Sequence, residues 1–280
     1  AVRDNRLDIV KLLLEKGAGI ENKTKDGFTA LHIAVTNNHP KMAKLLLETG
    51  AGIDNKTTDG FTALHIAVRD NRLDIVKLLL EKGANIDMEY SSSSGLGNED
   101  IQDKGLIFFA IEYPKILKLL LKYDVNINAT LNINGNTPLH EVVVGVIESV
   151  TSESFTDKYI LSMTYLLKEG SDYTITNKNG LTPLKIADNQ IKELETYSHD
   201  INDTYYALQM KNIQKCKNTL HNFIISTSAL DTEESSPEYH INGVRHKTHH
   251  DSKENVANKT IKKYRSSIKS KSRSRRMKKH

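Results

Sequence analysis

The chain has 280 residues, 26% of them charged, and a formal net charge of +4. Its single cysteine, Cys216, excludes an intramolecular disulfide bond, and no Cys/His group has the spacing of a zinc site. The longest apolar run, residues 142–147, is far shorter than the roughly 20 residues that a membrane-spanning helix needs. We therefore expect a soluble protein of a reducing cytoplasm that holds no metal and no cofactor.

The positive charge is confined to the carboxyl-terminal part of the chain. Residues 245–280 carry 14 Lys and Arg against two acidic residues, a net charge of +12, which leaves −8 for residues 1–244. Few apolar residues beyond Ser226 are available to offset the entropy lost on ordering. We expect an acidic folded body followed by a disordered tail, residues 227–280, that is basic from residue 245.

An internal repeat organises the first part of the chain. The segment DGFTALHIAV occurs at Asp26–Val35 and again at Asp59–Val68, which defines a period of 33. The whole segment Ala1–Ala18 recurs unchanged at Ala67–Ala84, two periods away. Self-similarity at a period of this length predicts an array of small units that bury their apolar faces against one another.

Each period predicts a pair of helices. Thr29, and Thr62 one period later, is placed to cap a short first helix whose apolar residues recur at helical spacing. A second helix follows, with a broad apolar face in the segment IVKLLL at 75–80. Gly83 is expected to end it, because glycine adopts the left-handed conformation without steric cost. A turn rich in Asn, Asp, Gly and Thr leads to the next period.

Both halves of the period resemble the ankyrin repeat. Four segments match the first half of the family's unit: TKDGFTALHIAV, TTDGFTALHIAV, INGNTPLHEVV and NKNGLTPLKIA, which begin at Thr24, Thr57, Ile133 and Asn177. The segment LLLEKGA matches the end of the unit. The resemblance covers residues 1–200. It implies an all-α ankyrin-repeat solenoid of helix-turn-helix units with extended turn or hairpin connections.

We number the predicted units one to six along the chain. Unit one is truncated, units four to six are degenerate, and a capping helix is expected at 201–226. Ala1 corresponds to Ala67 in the middle of a unit, so we expect either a fragment of a longer array or a frayed first unit. The predicted limits of the units are residues 1–22, 23–55, 56–88, about 89–132, 133–176 and 177–200.

Units four and five depart from the pattern by insertion. Unit four carries a serine-rich stretch, residues 90–105, before a first helix that lacks the T-P-L-H sequence. In unit five, Leu139 and Leu166 are 27 residues apart, against 15 for the equivalent Leu64 and Leu79. We place the additional residues in a loop between the two helices of unit five. Long loops in compact arrays are more often functional or disordered than neutral.

The expected helix at 201–226 has two interpretations. Apolar side chains recur at helical intervals, which is typical of a cap on the last unit. Their near-heptad spacing is also compatible with a helix that binds a partner or forms an oligomer. The side chains are Tyr206, Met210, Ile213, Leu220 and Ile224.

Few residues have the pattern of a catalytic or metal site. The resemblance assigns His32, His65 and His140 a structural role, in which each imidazole bonds the backbone of a turn. Cys216 lies beside two lysines that favour a lowered pKa, but no histidine or acid is placed to complete a nucleophilic site. The histidines at 240–250 lie in the expected tail, without the fixed geometry of a metal site. We expect no enzymatic activity.

The resemblance also implies where a protein partner binds, because ankyrin proteins typically use turn tips and the exposed side of the first helices. Phe28 and Phe61 are the aromatic residues of this surface, and aromatic anchors dominate interface energies. The alternative for both is packing against the adjacent turn. The matching residues are Lys23, Lys25, Asp26, Phe28, Thr36 and Asn37 in unit two, and Lys56, Thr58, Asp59, Phe61, Arg69 and Asp70 in unit three.

The basic tail leaves several functions open. Residues 259–280 hold 11 Lys and Arg and no acidic residue, which favours a nuclear import signal, a secretion signal, or weak non-specific attachment to nucleic acid or an anionic surface. The alternative is a tail that only adds solubility. The residues singled out are Lys262, Lys263, Arg265, Arg273, Arg275 and Arg276. We expect a protein-interaction module that acts as an effector or adaptor, similar to ankyrin proteins of intracellular bacteria or large DNA viruses. The alternative is a tether that binds nucleic acid or an anionic surface through the tail.

Overall fold

The computed structural model describes residues 1–88, 105–131, 133–149, 153–197 and 204–233. Over these ranges the secondary structure is helical and contains no strand, as the sequence predicts. A short 3-10 turn at Leu121–Tyr123 follows α7. The helices are α1 (Leu7–Glu15), α2 (Ala30–Thr36), α3 (Pro40–Glu48), α4 (Ala63–Arg69), α5 (Leu73–Glu81), α6 (Leu106–Ala110), α7 (Pro114–Leu120), α8 (Pro138–Glu148), α9 (Glu153–Lys168), α10 (Pro183–Tyr197) and α11 (Thr204–Glu233).

Within residues 1–226, which form one compact unit, the helices stack in two rows. The first helices of the repeats, α2, α4, α6, α8 and α10, each contact the next, and the second helices α3, α5, α7 and α9 do the same. The first helices α2, α4, α6 and α8 also pack on the second helix of their own repeat, as in the pairs α2 with α3 and α4 with α5. The core therefore runs continuously between the rows, because no single pair of short helices could bury its apolar face alone.

The ends of the helices are specified as the sequence predicts. Thr29 and Thr62 are the N-caps of α2 and α4, and each forms a capping box with the histidine three residues later. After α5, Gly83 has φ 85° and donates its N–H to the carbonyl of Leu80 at 3.1 Å. The next amide, of Ala84, bonds the carbonyl of Leu79 at 3.0 Å, so the expected glycine-terminated helix is confirmed.

Unit five differs from the sequence prediction. Helix α8 has 11 residues and α9 has 16, against 7 and 9 in α4 and α5 of unit three. The additional residues mostly lengthen these two helices and leave only 149–152 between them, so the predicted long loop is wrong. The longer helices pack on each other at Gly145, where the ring of Tyr159 occupies the space that a side chain would need.

Helix α11 lies against the last units. Ile213, Cys216 and Leu220 are buried in the core. The ammonium of Lys215 lies 2.6 Å from the carboxylate of Asp157 in α9, and Lys217 lies 2.8 Å from Asp188 in α10. The expected apolar face is thus packed against the array, although the division of the chain into an array, a cap and a tail stays a prediction.

Two further expectations lie outside the described residues. These are the serine-rich insertion of unit four, apart from its last residue Gly105, and the basic tail with all six of the residues singled out in it. None of the described helices is long and apolar enough to span a membrane.

Candidate protein-binding surface

The predicted partner surface occupies neighbouring turns that are joined to each other. The backbone N–H of Thr58 donates to the carbonyl of Asp26 at 3.1 Å, and the ammonium of Lys23 donates to the carbonyl of Lys56 at 2.9 Å. A Cβ on Gly27, which has φ 75°, would lie 2.5 Å from the backbone nitrogen of Thr58. The tips of units two and three are therefore in direct contact, and their spacing is set by backbone groups.

Most of the predicted side chains of this surface are exposed. They are Lys23, Lys25, Asp26, Thr36 and Asn37 in unit two, and Thr58, Asp59 and Arg69 in unit three. The others, Phe28, Lys56, Phe61 and Asp70, are half-buried. Both phenylalanine rings pack edge-on against the histidine of their own capping box.

Phe61 is covered by the protein itself. Its ring meets the ring of Phe109 from unit four edge-on at 6.1 Å, and the guanidinium of Arg69 lies 5.1 Å from its centroid. Arg69 is also paired with Asp70 at 2.9 Å. Phe61 thus packs against the first helix of the following repeat.

Phe28 instead borders a cavity of about 450 Å³. The lining includes five of the predicted surface residues and three more that the prediction omitted. The eight are Arg3, Thr24, Lys25, Asp26, Phe28, Ile33, Thr36 and Asn37, and we call this cavity the Phe28 pocket. Arg3 could have been found from the sequence, because it is the copy of the predicted Arg69 two periods earlier.

The histidines beside this surface are structural. The Nδ1 atoms of His32, His65 and His140 accept the backbone N–H of their capping threonines at 3.1–3.4 Å. In His140 the other ring nitrogen also lies 2.9 Å from the carbonyl oxygen of Leu181 in the next unit. Burial lowers the pKa of all three imidazoles, that of His65 to about 4, so they are neutral at pH 7.

Cys216 does not have the environment of a nucleophile. Burial raises the pKa of its thiol to about 12, against the lowering that neighbouring lysines would favour. Both lysines form ion pairs instead, Lys215 with Asp157 and Lys217 with Asp188. Among the described residues, no group of three or more His, Cys, Asp or Glu side chains is arranged to hold a metal ion.

Comparisons with known proteins agree with this architecture. Residues 1–90 match the family model for ankyrin repeats, in three copies. The ankyrin-repeat domain of Bcl-3, a member of the IkappaB protein family, aligns with 27% identity and a TM-score of 0.54, covering 66% of this chain and 75% of that chain. Taken with the repeated helix pairs and their capping boxes, these matches show that residues 1–90 are ankyrin repeats and that the chain has the ankyrin-repeat fold.

A second structural neighbour shares the fold alone. A chain in the structure of the predatory endopeptidase Bd0816 of Bdellovibrio bacteriovorus, in complex with the immunity protein Bd3460, aligns with 22% identity and a TM-score of 0.56. The alignment covers 77% of this chain and 95% of that chain. Comparison with curated protein sequences gives no match.

Proposed function

We propose that the protein is an interaction module that binds a protein partner through the turn tips and first helices of units two and three, as an effector or adaptor. The observation that carries this proposal is the joining of the two tips by the Thr58–Asp26 and Lys23–Lys56 hydrogen bonds, with exposed polar side chains around them. A surface that is ordered before binding loses little conformational entropy when a partner docks.

The structural neighbours support the general class of this function. The Bdellovibrio structure is a complex between an endopeptidase and an immunity protein, and Bcl-3 belongs to the IkappaB proteins. These partners and relationships belong to those proteins. They support the use of the fold as a protein-binding scaffold, while the identity of the partner of this chain follows from neither.

The test is capture of partners from a cell extract by the immobilised full chain at about 0.1 and 0.5 M NaCl, since high salt weakens exposed charge contacts. One variant reverses three turn-tip charges, by Lys25→Glu, Asp26→Lys and Asp59→Lys. A control variant carries Lys41→Glu and Lys82→Glu on exposed positions of the second-helix side. We expect a protein that the wild type and the control retain and the tip variant loses.

The net charge of +12 in residues 245–280 favours a second candidate, a tether to nucleic acid or an anionic surface. A full chain in which the six singled-out tail residues are changed to Gln separates the two functions. Loss of all captured material from this variant, with recovery of nucleic acid by the wild type at low salt only, would favour the tether over the interaction module.

A further inference from the structure

The outward side of the second helices changes charge between units three and four. Helix α5 and the segment 114–122 align without a gap as LDIVKLLLE and PKILKLLLK. In α5 the exposed charged residues one turn apart are Asp74, Lys77 and Glu81. The residues at the same positions in unit four, which are also exposed, are Lys115, Lys118 and Lys122. Both acids of this side are therefore replaced by lysine.

The stability of the helix does not account for this replacement. Lys118 and Lys122 are one turn apart, and in α3 and α5 the same spacing joins a lysine to a glutamate, with the charged atoms 3.8 Å apart in both pairs. Like charges at this spacing destabilise a helix. Nor does the replacement follow the overall charge, because residues 1–244 have a net charge of −8. A local excess of lysine that costs stability indicates a role in binding.

Unit five continues the change on the neighbouring helix α9. When Leu166 is aligned with Leu79, Leu161 takes the position of Asp74 and Lys168 takes the position of Glu81. Both are exposed. The two acids of unit three are thus absent from the same positions of units four and five.

The outward sides of α7 and α9 adjoin, because the two helices pack on each other and the ammonium of Lys118 lies 5.3 Å from the ring centroid of Tyr165. On α9, exposed apolar side chains lie one turn before and one turn after Lys158. They are Phe155, which is 50% exposed, and Leu161, which is 43% exposed. The ammonium of Lys158 lies 4.7 Å from the ring centroid of Phe155. We use the term lysine face for Phe155, Leu161 and the five exposed lysines of α7, the turn after it and α9.

The positive charges of the lysine face are not compensated by neighbouring acids. Within the described part of the chain, none of its five lysines forms an ion pair. Asp157 is the one acid among the side chains described for α7 and α9, and it lies 2.6 Å from Lys215 of α11. The next acids along the chain lie in the turns outside the two helices: Glu112, Asp124 and Glu169. The face is therefore complementary to an anionic ligand.

The composition of the face favours a lipid surface over a protein or a nucleic acid. Lysine is depleted in protein–protein interfaces, and the face lacks arginine, whose planar group binds carboxylates and phosphates in fixed pairs. Leu161 cannot stack on a base, and Tyr165 is half-buried beneath Lys118. Flexible lysine stems instead suit mobile lipid headgroups, while exposed apolar side chains can enter the boundary with the acyl chains.

We propose that the lysine face binds the surface of a membrane rich in anionic phospholipid. Phe155 and Leu161 enter the boundary between the headgroups and the acyl chains, and the five ammonium groups lie against the lipid phosphates and carboxylates. Each lysine beside such a leaflet strengthens binding about fivefold. This contact is separate from the turn tips of units two and three and does not depend on the proposed function.

The test uses tryptophan fluorescence, because the chain contains no tryptophan and one introduced residue reports on a single position. Phe155→Trp places the probe in the lysine face. Ile133→Trp is the matched control, since Ile133 is 54% exposed but lies in the turn before α8. Both full-length variants are mixed with vesicles of phosphatidylcholine alone and with vesicles of phosphatidylcholine and phosphatidylserine in equal amounts.

We expect the emission of Phe155→Trp to move to shorter wavelength and to become protected from acrylamide with the phosphatidylserine vesicles only. The emission of Ile133→Trp should change with neither kind of vesicle. Because the emission is local, attachment through the basic tail alone would leave both probes in water and cannot imitate this result.

A charge variant tests the lysines in the Phe155→Trp background. Lys115→Asp and Lys122→Glu introduce the residues that α5 has at these positions, so the fold accommodates them. The control pair, Lys41→Asp and Lys82→Glu, makes the same change of charge on the second-helix side of units two and three. The first pair should raise the lipid concentration at half-maximal shift at least about tenfold, and the control pair should raise it less than about threefold.

Several results overturn the inference. They are unchanged emission of Phe155→Trp with the phosphatidylserine vesicles, an equal shift with phosphatidylcholine alone, or equal losses from the two charge variants. A shift on addition of single-stranded DNA or polyglutamate, without a shift on addition of vesicles, would assign the face to a nucleic acid or an acidic protein and remove the lipid surface.

Discussion

The segments Ala1–Ala18 and Ala67–Ala84 have the same sequence, so the effect of burial on stability can be compared within one chain while the local sequence stays the same. Leu13 in α1 and Leu79 in α5 have the same neighbours for many residues on either side, yet Leu13 is 47% exposed and Leu79 is fully buried. Helix propensity changes equally when either residue is replaced by alanine. Any difference between Leu13→Ala and Leu79→Ala therefore measures packing against the adjacent repeat.

The expected magnitudes follow from the two environments. A fully buried leucine replaced by alanine loses its transfer free energy and leaves a cavity, so Leu79→Ala should lower the free energy of unfolding by about 3 kcal/mol or more. Leu13 is about half exposed, so its replacement by alanine removes little buried apolar surface. Leu13→Ala should lower the free energy of unfolding by about 1 kcal/mol or less.

The assay is equilibrium urea denaturation of the two full-length variants followed by circular dichroism. Because repeat arrays can unfold unit by unit, amide hydrogen exchange in α5 should be measured in addition to the denaturation curve. We expect a large shift of the transition and faster exchange in α5 for Leu79→Ala alone. Equal losses from the two substitutions would refute the claim that stacking of the repeats, rather than the local sequence, stabilises the helices.

Two further predictions concern the turns and the capping boxes. In thermal denaturation, Gly27→Ala should lower the free energy of unfolding by at least about 1 kcal/mol more than Gly17→Ala. Both glycines have positive φ, but only a side chain at position 27 would meet the backbone of Thr58. Similar losses from the two substitutions would contradict the close contact of the tips. Because burial holds the folded pKa of His65 near 4, below its unfolded value of 6.5, its contribution to stability is present above pH 6.5 and is lost as pH falls toward 4. In urea titrations over this pH range, the free energy of unfolding of the wild type should fall by up to about 3 kcal/mol more than that of His65→Gln. The control His221→Gln, at an exposed position, should follow the wild type.

The first three units could be predicted closely from the sequence because their capping threonines, glycines and apolar positions repeat at a fixed period. Unit five was predicted less well. The period of 33 made its additional residues look like an inserted loop, although the segment 155–167 continues the apolar spacing of a helix. Where two helices lengthen together, each buries the added turns of the other, and this compensation is visible only in three dimensions.

The candidate site was predicted in position but not in shape. Turn tips follow from the repeat pattern, and most of the predicted side chains are exposed. The contact of Phe61 with Phe109 could not be predicted in the same way, because Phe109 belongs to the following unit, which lacks the T-P-L-H sequence.

The central claim is that the joined tips of units two and three bind a protein. The most direct measurement is capture at high salt by four full-length proteins: the wild type, the turn-tip charge variant, the second-helix control, and the variant with a neutralised tail. We predict that one protein is retained by all except the turn-tip variant. Retention by the turn-tip variant and loss with the neutralised tail would contradict the account and would place binding in the basic tail.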